Sequence, residues 1–299
     1  MKIGLKGINR ATVAATVALT AGAVLAGSAF ASAAQAATLP TPTITAKGGF
    51  VMNNGTAKTL YSKSADTRRS TGSTTKIMTA RVVLSQKNLN LDSKVTVQKA
   101  YSDYIVKNTA SSARLIVGDK VTVRQLLYGL MLPSGCDAAY ALADKFGSGT
   151  TRAARVKSFL GKMNATAKTL GMTNSHFDSF DGIGNGSNYS TPRDLTKLAS
   201  SAMKSSTFRA IVKTKSTKQK VTTKSGGYRY MSWTNTNLLL GSYSGTIGVK
   251  TGSGPTAKYC LVFAATRNGK TVIGTVLTAT SSTTRTSDAK KLMDYSFKK

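Results

Sequence analysis

Ser73-Thr74-Thr75-Lys76-Ile77-Met78-Thr79-Ala80 is the stretch on which the fold turns. If it starts a helix, residues three apart share a face with Cβ atoms about 5 to 6 Å from each other, so the Lys76 amine can reach the Ser73 hydroxyl. That pair is a nucleophile beside a base. A helix N-terminus adds roughly half a positive charge, which favours an alkoxide and the oxyanion that forms after its attack. Ser-x-x-Lys also occurs at Ser201 to Lys204, Ser287 to Lys290 and Ser296 to Lys299, so the surroundings must choose among four copies.

Upstream, apolar residues between Ile44 and Tyr61 flank Asn53-Asn54-Gly55, which predicts a hairpin with a tight turn. Helical spacing follows from Ile77 to Leu84, whereas Val95, Val97 and Ile105 fit no clear period. Residues 121–146 read as two helices that meet at Leu132-Pro133-Ser134-Gly135-Cys136. Further helices are expected over 153–170 and from Thr191-Pro192 to Met203. From Ala210 the period changes to strand-like alternation through Trp233. Two more strands, 259–266 and 271–278, are joined by Asn268-Gly269, and Ser287 is expected to cap a last helix. This order predicts an α+β fold: an antiparallel sheet assembled from both ends of the chain, flanked by helices, with an inserted mostly helical subdomain. One domain is expected over 37–299, its sheet part at about 37–80 and 205–299 and its helical part at about 81–204.

Residues 1–36 read as a signal peptide: Lys2, Lys6 and Arg10 precede an uncharged stretch ending at Ala34-Gln35-Ala36. A secreted, extracytoplasmic protein is the expectation; an uncleaved anchor is the alternative. The formal charge of +31 should draw the chain to polyanions, and an exported protein meets anionic wall polymers or a membrane surface first. Lysines and arginines are spread without an aromatic-interleaved cluster, so no nucleic-acid partner is expected. All eleven acids are aspartates and His176 is the sole histidine, which excludes a His-Glu-x-x-His zinc site and any glutamate base. With two cysteines, neither a disulfide framework nor a cysteine-rich metal site is expected, and no cofactor is implied.

Acyl transfer by a serine and a lysine needs groups that hold the substrate and donors for the oxyanion. Lys250-Thr251-Gly252 precedes a clear strand and offers a cation, a hydroxyl and a close backbone approach, suited to a carboxylate-bearing substrate. A similar triplet, Lys224-Ser225-Gly226, reads better as a hairpin turn. Ser134-Gly135-Cys136 is the third element. In this order and at these separations the three triplets resemble the motifs of penicillin-binding proteins and serine β-lactamases.

The remaining text is most similar to the low-molecular-mass D-alanyl-D-alanine peptidases. Gly118-Asp119, Asp137-Ala138-Ala139, Leu170-Gly171-Met172 and Trp233-Thr234-Asn235-Thr236-Asn237 look like that family's blocks, and the likeness covers roughly residues 45–279. The resemblance implies a peptidase that acts on peptidoglycan stem peptides ending in D-Ala-D-Ala through a Ser73 acyl-enzyme, and that β-lactams acylate. By carry-over, Lys76 is the base, Ser134 relays a proton, Lys250 and Thr251 of the Lys250-Thr251-Gly252 triplet hold the substrate carboxylate, and the backbone N–H groups of Ser73 and Ser253 form the oxyanion hole. Lowering a lysine pKa from about 10.4 to about 7.5 takes roughly 4 kcal/mol, comparable to the ~4 kcal/mol repulsion of two cations 4 Å apart at intermediate dielectric. Lys250 near Lys76 would supply it.

Cys136 stands where the family usually has an asparagine that binds substrate. A small subgroup with cysteine there looks more like transpeptidases, so DD-transpeptidation is the favoured expectation, with DD-carboxypeptidation as the alternative. Next come a β-lactamase, although the class A form deacylates with a glutamate this chain lacks, and a catalytically weak basic wall-binding protein. A Cys136 thiol nucleophile working with His176 is a rival chemistry, and a Cys136 to Cys260 disulfide is left open.

Overall fold

The computed structural model describes residues 39–299, so the expected signal peptide lies outside the described residues. Strands β1 (Gly48–Asn53) and β2 (Thr59–Lys63) form the expected antiparallel hairpin. A single 3₁₀ turn, Gly72–Thr75, leads into helix α1 (Lys76–Leu84). The ambiguous stretch that follows resolves into β3 (Lys94–Thr96), α2 (Lys99–Asn108) and β4 (Lys120–Thr122). Next come α3 (Val123–Met131) and α4 (Cys136–Phe146), meeting at the expected loop, then α5 (Arg152–Thr169). Thr191 accepts a hydrogen bond from the Asp194 amide and Pro192 takes the first turn of α6 (Pro192–Ala202), as its N-terminal signature requires.

Two boundaries differ from expectation. Ala210 lies in a helix, α7 (Ser206–Lys213), because Phe208, Ile211 and Val212 are buried at helical spacing and the Ser205 hydroxyl accepts from the Phe208 amide. Alternation starts only with β5 (Ser216–Thr222) and β6 (Tyr228–Thr234), and Lys224-Ser225-Gly226 is their turn. After β7 (Thr246–Gly254), β8 (Lys258–Arg267) and β9 (Lys270–Ala279), the last helix, α8 (Ser282–Lys298), is capped by Ser281 rather than Ser287.

The expected α+β architecture is present, with the sheet built from both chain ends in the order β2-β1-β9-β8-β7. A second sheet, β3-β4-β5-β6, was not foreseen. In a strand, successive side chains leave on opposite faces, and β8 uses both. Cys260, Val262 and Ala264 join the core shared with the helical part, while Leu261, Phe263 and Ala265 join the core under α8. Being covered on both sides, the strand reads as an unbroken apolar run. Helix α1 is enclosed too: Ile77, Met78, Ala80, Val82 and Val83 are buried around its circumference.

Asp288 of α8 ties down the segment before β1, accepting from the Thr45 amide at 3.2 Å, the Thr45 hydroxyl at 2.9 Å and the Ala46 amide at 2.7 Å. Asp288→Ala would strand these donors at a buried joint. We expect it to lower unfolding free energy by about 2 to 4 kcal/mol, read as a lower urea midpoint with an unchanged denaturant slope.

Candidate active site

The 3₁₀ turn and the start of α1 form a buried pedestal on which Ser73 alone, within 71–80, retains partial exposure. Lys76 is fully buried directly behind it. Its Nζ donates to Ser73 Oγ at 2.9 Å, to Cys136 Sγ at 3.2 Å and to the Asp181 carbonyl at 3.2 Å. The spacing expected of an α-helical turn thus survives in a 3₁₀ turn. Of the other Ser-x-x-Lys copies, Ser201 accepts from Arg81 and Lys204 is exposed, whereas the remaining two start in α8.

Cys136 opens α4, and Asp137 beside it fixes the neighbouring loop. The Asp137 carboxylate accepts from the Ala113 and Leu115 amides at 2.8 and 3.1 Å and from the Ser112 hydroxyl at 2.8 Å. That places Ser111 against the site: its Oγ lies 3.5 Å from Cys136 Sγ and donates to the Ser134 carbonyl at 2.6 Å. Burial raises the Cys136 pKa, partly offset by Lys76, so the group is a thiol at neutral pH. Ser134 has a left-handed backbone (φ 67°), and its buried Oγ has no hydrogen-bond partner among the described residues. His176 pairs through its backbone with Tyr189 and is not among the hydrogen-bond partners of the thiol. Both cysteines are free, so no Cys136 to Cys260 disulfide exists.

Strand β7 brings the third triplet alongside. A Cβ built on Gly252 would sit 2.7 Å from the Thr71 carbonyl oxygen and 2.9 Å from the Thr74 amide nitrogen; only glycine lets the strand approach this closely. Gly72, at φ +49°, is equally tight, with its Cβ position 3.0 Å from the Ser253 amide nitrogen. The Ser253 amide is thereby brought against the turn that carries Ser73. Lys250 is buried, its Nζ donating to the Thr251 carbonyl at 3.0 Å, and the hydroxyls of Thr251 and Thr236 lie 2.6 Å apart. Beside Ser253 opens a cavity of about 420 Å³ lined by Arg68, Arg69, Asn188 and Tyr189 among others.

The three triplets therefore meet, with four contributors that sequence reasoning did not single out. Ser111 and Asp181 act through a loop position and a backbone carbonyl, which carry no local pattern. Thr236 sits inside the recognised block 233–237, but its partner is set by tertiary contact. Arg285 of α8 is buried and donates to the Gly252 carbonyl at 3.1 Å and the Cys260 carbonyl at 3.4 Å. Among the described residues no group of three or more His, Cys, Asp or Glu side chains could hold a metal ion.

Burial pushes the Lys250 amine well below the ordinary lysine range, and the positive charges of Lys76 and Arg285 lower it further. A lysine depressed on folding leaves the unfolded chain with more bound protons between the two pKa values, so stability rises with pH across that window. Below it, the full cost of burying the cation is present. Lys250→Met should raise stability at acidic and neutral pH and flatten this rise, as measured by urea unfolding across pH.

The family model for D-alanyl-D-alanine carboxypeptidases matches residues 33–281. A D-alanyl-D-alanine carboxypeptidase of Streptomyces sp. (strain K15) is 71% identical over 285 residues, covering 95% of this chain and 98% of the relative. The crystal structure of the Streptomyces K15 DD-transpeptidase superposes with a TM-score of 0.87 at 75% identity, covering 87% of this chain and all of that one. The carboxypeptidase DacF of Bacillus subtilis (strain 168) is 30% identical over 84% of this chain, which spans 62% of DacF. With a family match across most of its length and a relative this similar end to end, the chain belongs to the D-alanyl-D-alanine carboxypeptidase family of serine peptidases.

Proposed function

We propose that the protein is an extracytoplasmic DD-peptidase that transfers the acyl part of a peptidoglycan stem peptide from its terminal D-alanine to an amine, with hydrolysis as the slower alternative. The observation that carries this is the 2.9 Å contact between the buried Lys76 amine and the partly exposed Ser73 hydroxyl. Acting as base, Lys76 takes the Ser73 proton as Oγ attacks the carbonyl of the penultimate D-alanine. The oxyanion is held by the Ser73 and Ser253 amides. The C–N bond then breaks, a proton passes to the leaving amine, and free D-alanine departs from an ester on Ser73. Attack by an acceptor amine closes the cycle and returns the proton.

Lys250 and Thr251 would receive the substrate carboxylate, an anion that relieves the cost of burying a cation. Cys136 and Ser134 would flank the acyl group. A thiol held un-ionised is a weak hydrogen-bonding group, so the site has little with which to orient a water, and an intrinsically stronger amine nucleophile gains the advantage. This is the reason for favouring transfer. The thiol route is disfavoured, since burial opposes thiolate formation and no imidazole hydrogen-bonds to the sulfur. The strongly basic surface would bring the enzyme against anionic wall polymers or the membrane surface. No helix of the described residues is long and apolar enough to cross a membrane.

Labelling with a fluorescent penicillin should occur in the wild type and in Cys136→Ala, and fall by more than about 10³-fold in Ser73→Ala. Mass spectrometry of products from a donor ending in D-Ala-D-Ala should show acceptor-linked product outrunning hydrolysis when an amine such as glycine is present. Equal hydrolysis with and without the amine would return the assignment to carboxypeptidation.

A further inference from the structure

The four-stranded sheet packs one face on the helical core through Val95, Val121, Val221, Met231 and Trp233. By strand alternation its other face presents Lys94 from β3, Lys120 from β4, Lys218 and Lys220 from β5, and Tyr228 and Tyr230 from β6, all exposed. None of the four strands contains an acidic residue. The nearby Asp119 is fully buried and paired with Arg229 at 2.9 Å.

Three of these cations are held in place. The Lys218 ammonium sits 4.6 Å from the centre of the Tyr230 ring, and that of Lys220 sits 4.0 Å from the centre of the Tyr228 ring. Lys94 donates to the Thr222 hydroxyl at 3.2 Å. A ring or hydroxyl beneath three of the four ammonium groups reduces the freedom that those lysines lose on meeting an anion. The tyrosines themselves are 61% and 55% exposed, unusual for large rings. At the β3 edge the face gives way to a cleft of about 410 Å³ lined by Lys94, Lys145, Arg152 and Arg155. Its acid, Asp144, is already engaged by Arg155 at 2.7 Å and Arg152 at 3.2 Å.

We propose that this sheet face and its cleft form a docking platform for an anionic polymer of phosphodiester units, with ammonium groups on the phosphates and the tyrosine rings against the polyol or sugar links. Platform cations on the strands are lysines, which suit phosphate as point charges, rather than the arginine forks that suit carboxylates. The exposed positions between them are Thr and Ser, with no aliphatic side chain to enter a bilayer, so a soluble polymer fits better than a lipid surface. Past the end of β6 at Thr234 the chain reaches Thr236 at the candidate active site, so a docked polymer would hold the enzyme beside its wall substrate. The choice of occupant rests on the reading of the protein as acting at the wall.

Binding to poly(glycerol phosphate) at graded salt would be compared in three forms of the protein. The platform variant carries Lys94→Gln, Lys120→Gln, Lys218→Gln and Lys220→Gln. A control of equal charge carries Lys157→Gln, Lys168→Gln, Lys204→Gln and Lys291→Gln at other exposed sites. We expect the platform variant to lose at least tenfold in affinity near 0.15 M salt and its log–log salt slope to shrink by about 3, with the control near wild type. Tyr228→Ser with Tyr230→Ser should weaken binding without altering net charge, and serves as the second variant if the first fails to fold. Equal losses in platform variant and control, or no binding by wild type, would overturn the proposal. So would platform-dependent binding that favours phosphatidylglycerol vesicles over the polymer. Penicillin acylation should be the same in all forms; its absence from wild type would instead count against the enzymatic assignment.

Discussion

Everything in the site follows from burying three basic side chains, Lys76, Lys250 and Arg285, where none of them forms an ion pair among the described residues. Desolvating a cation costs several kcal/mol unless something replaces its water. Here backbone carbonyls do so: Asp181 for Lys76, Thr251 for Lys250, and Gly252 and Cys260 for Arg285. Carbonyl dipoles solvate without neutralising. A site arranged this way stays electropositive and is completed by an anionic ligand, whereas buried carboxylate partners would have stabilised the empty protein and left less to gain on binding.

The same constraint explains why the flanking structure is so closely fitted. A lysine held by three partners needs each of them delivered from a separate segment, and the 3₁₀ turn, α4 and the loop at Asp181 each supply one. The two glycines at 72 and 252 allow β7 to lie directly against the 3₁₀ turn, so that its amides and cation share one small volume with the serine. Asp137 performs the corresponding task on the opposite wall by anchoring the loop that carries Ser111.

Much of this is legible in the amino-acid sequence. Ser73 and Lys76, Lys250-Thr251-Gly252 and Ser134-Gly135-Cys136 are dense local patterns, and the strands at 259–278 announce themselves through a tight turn between apolar runs. The sheet of β3 and β4 was hidden because three-residue strands offer no period to detect, and each pairs across a gap filled by a helix. Helix α7 was masked by β-branched and lysine residues on its flanks, and the α8 cap by a run of Ser and Thr offering several candidates. Ser111 and Arg285 could not be found by pattern at all, since their roles depend on what folds against them.

Strand β1 lies between β2 and β9, although more than two hundred residues of chain separate it from the latter. Its hairpin partner alone leaves one edge bare, and an isolated strand pair is marginally stable in water. While the chain is being made, the serine-bearing segment therefore waits for the last strands and for Arg285 before its surroundings close. The reactive groups lie apart until then, and the centre depends on contacts between segments far apart in the chain.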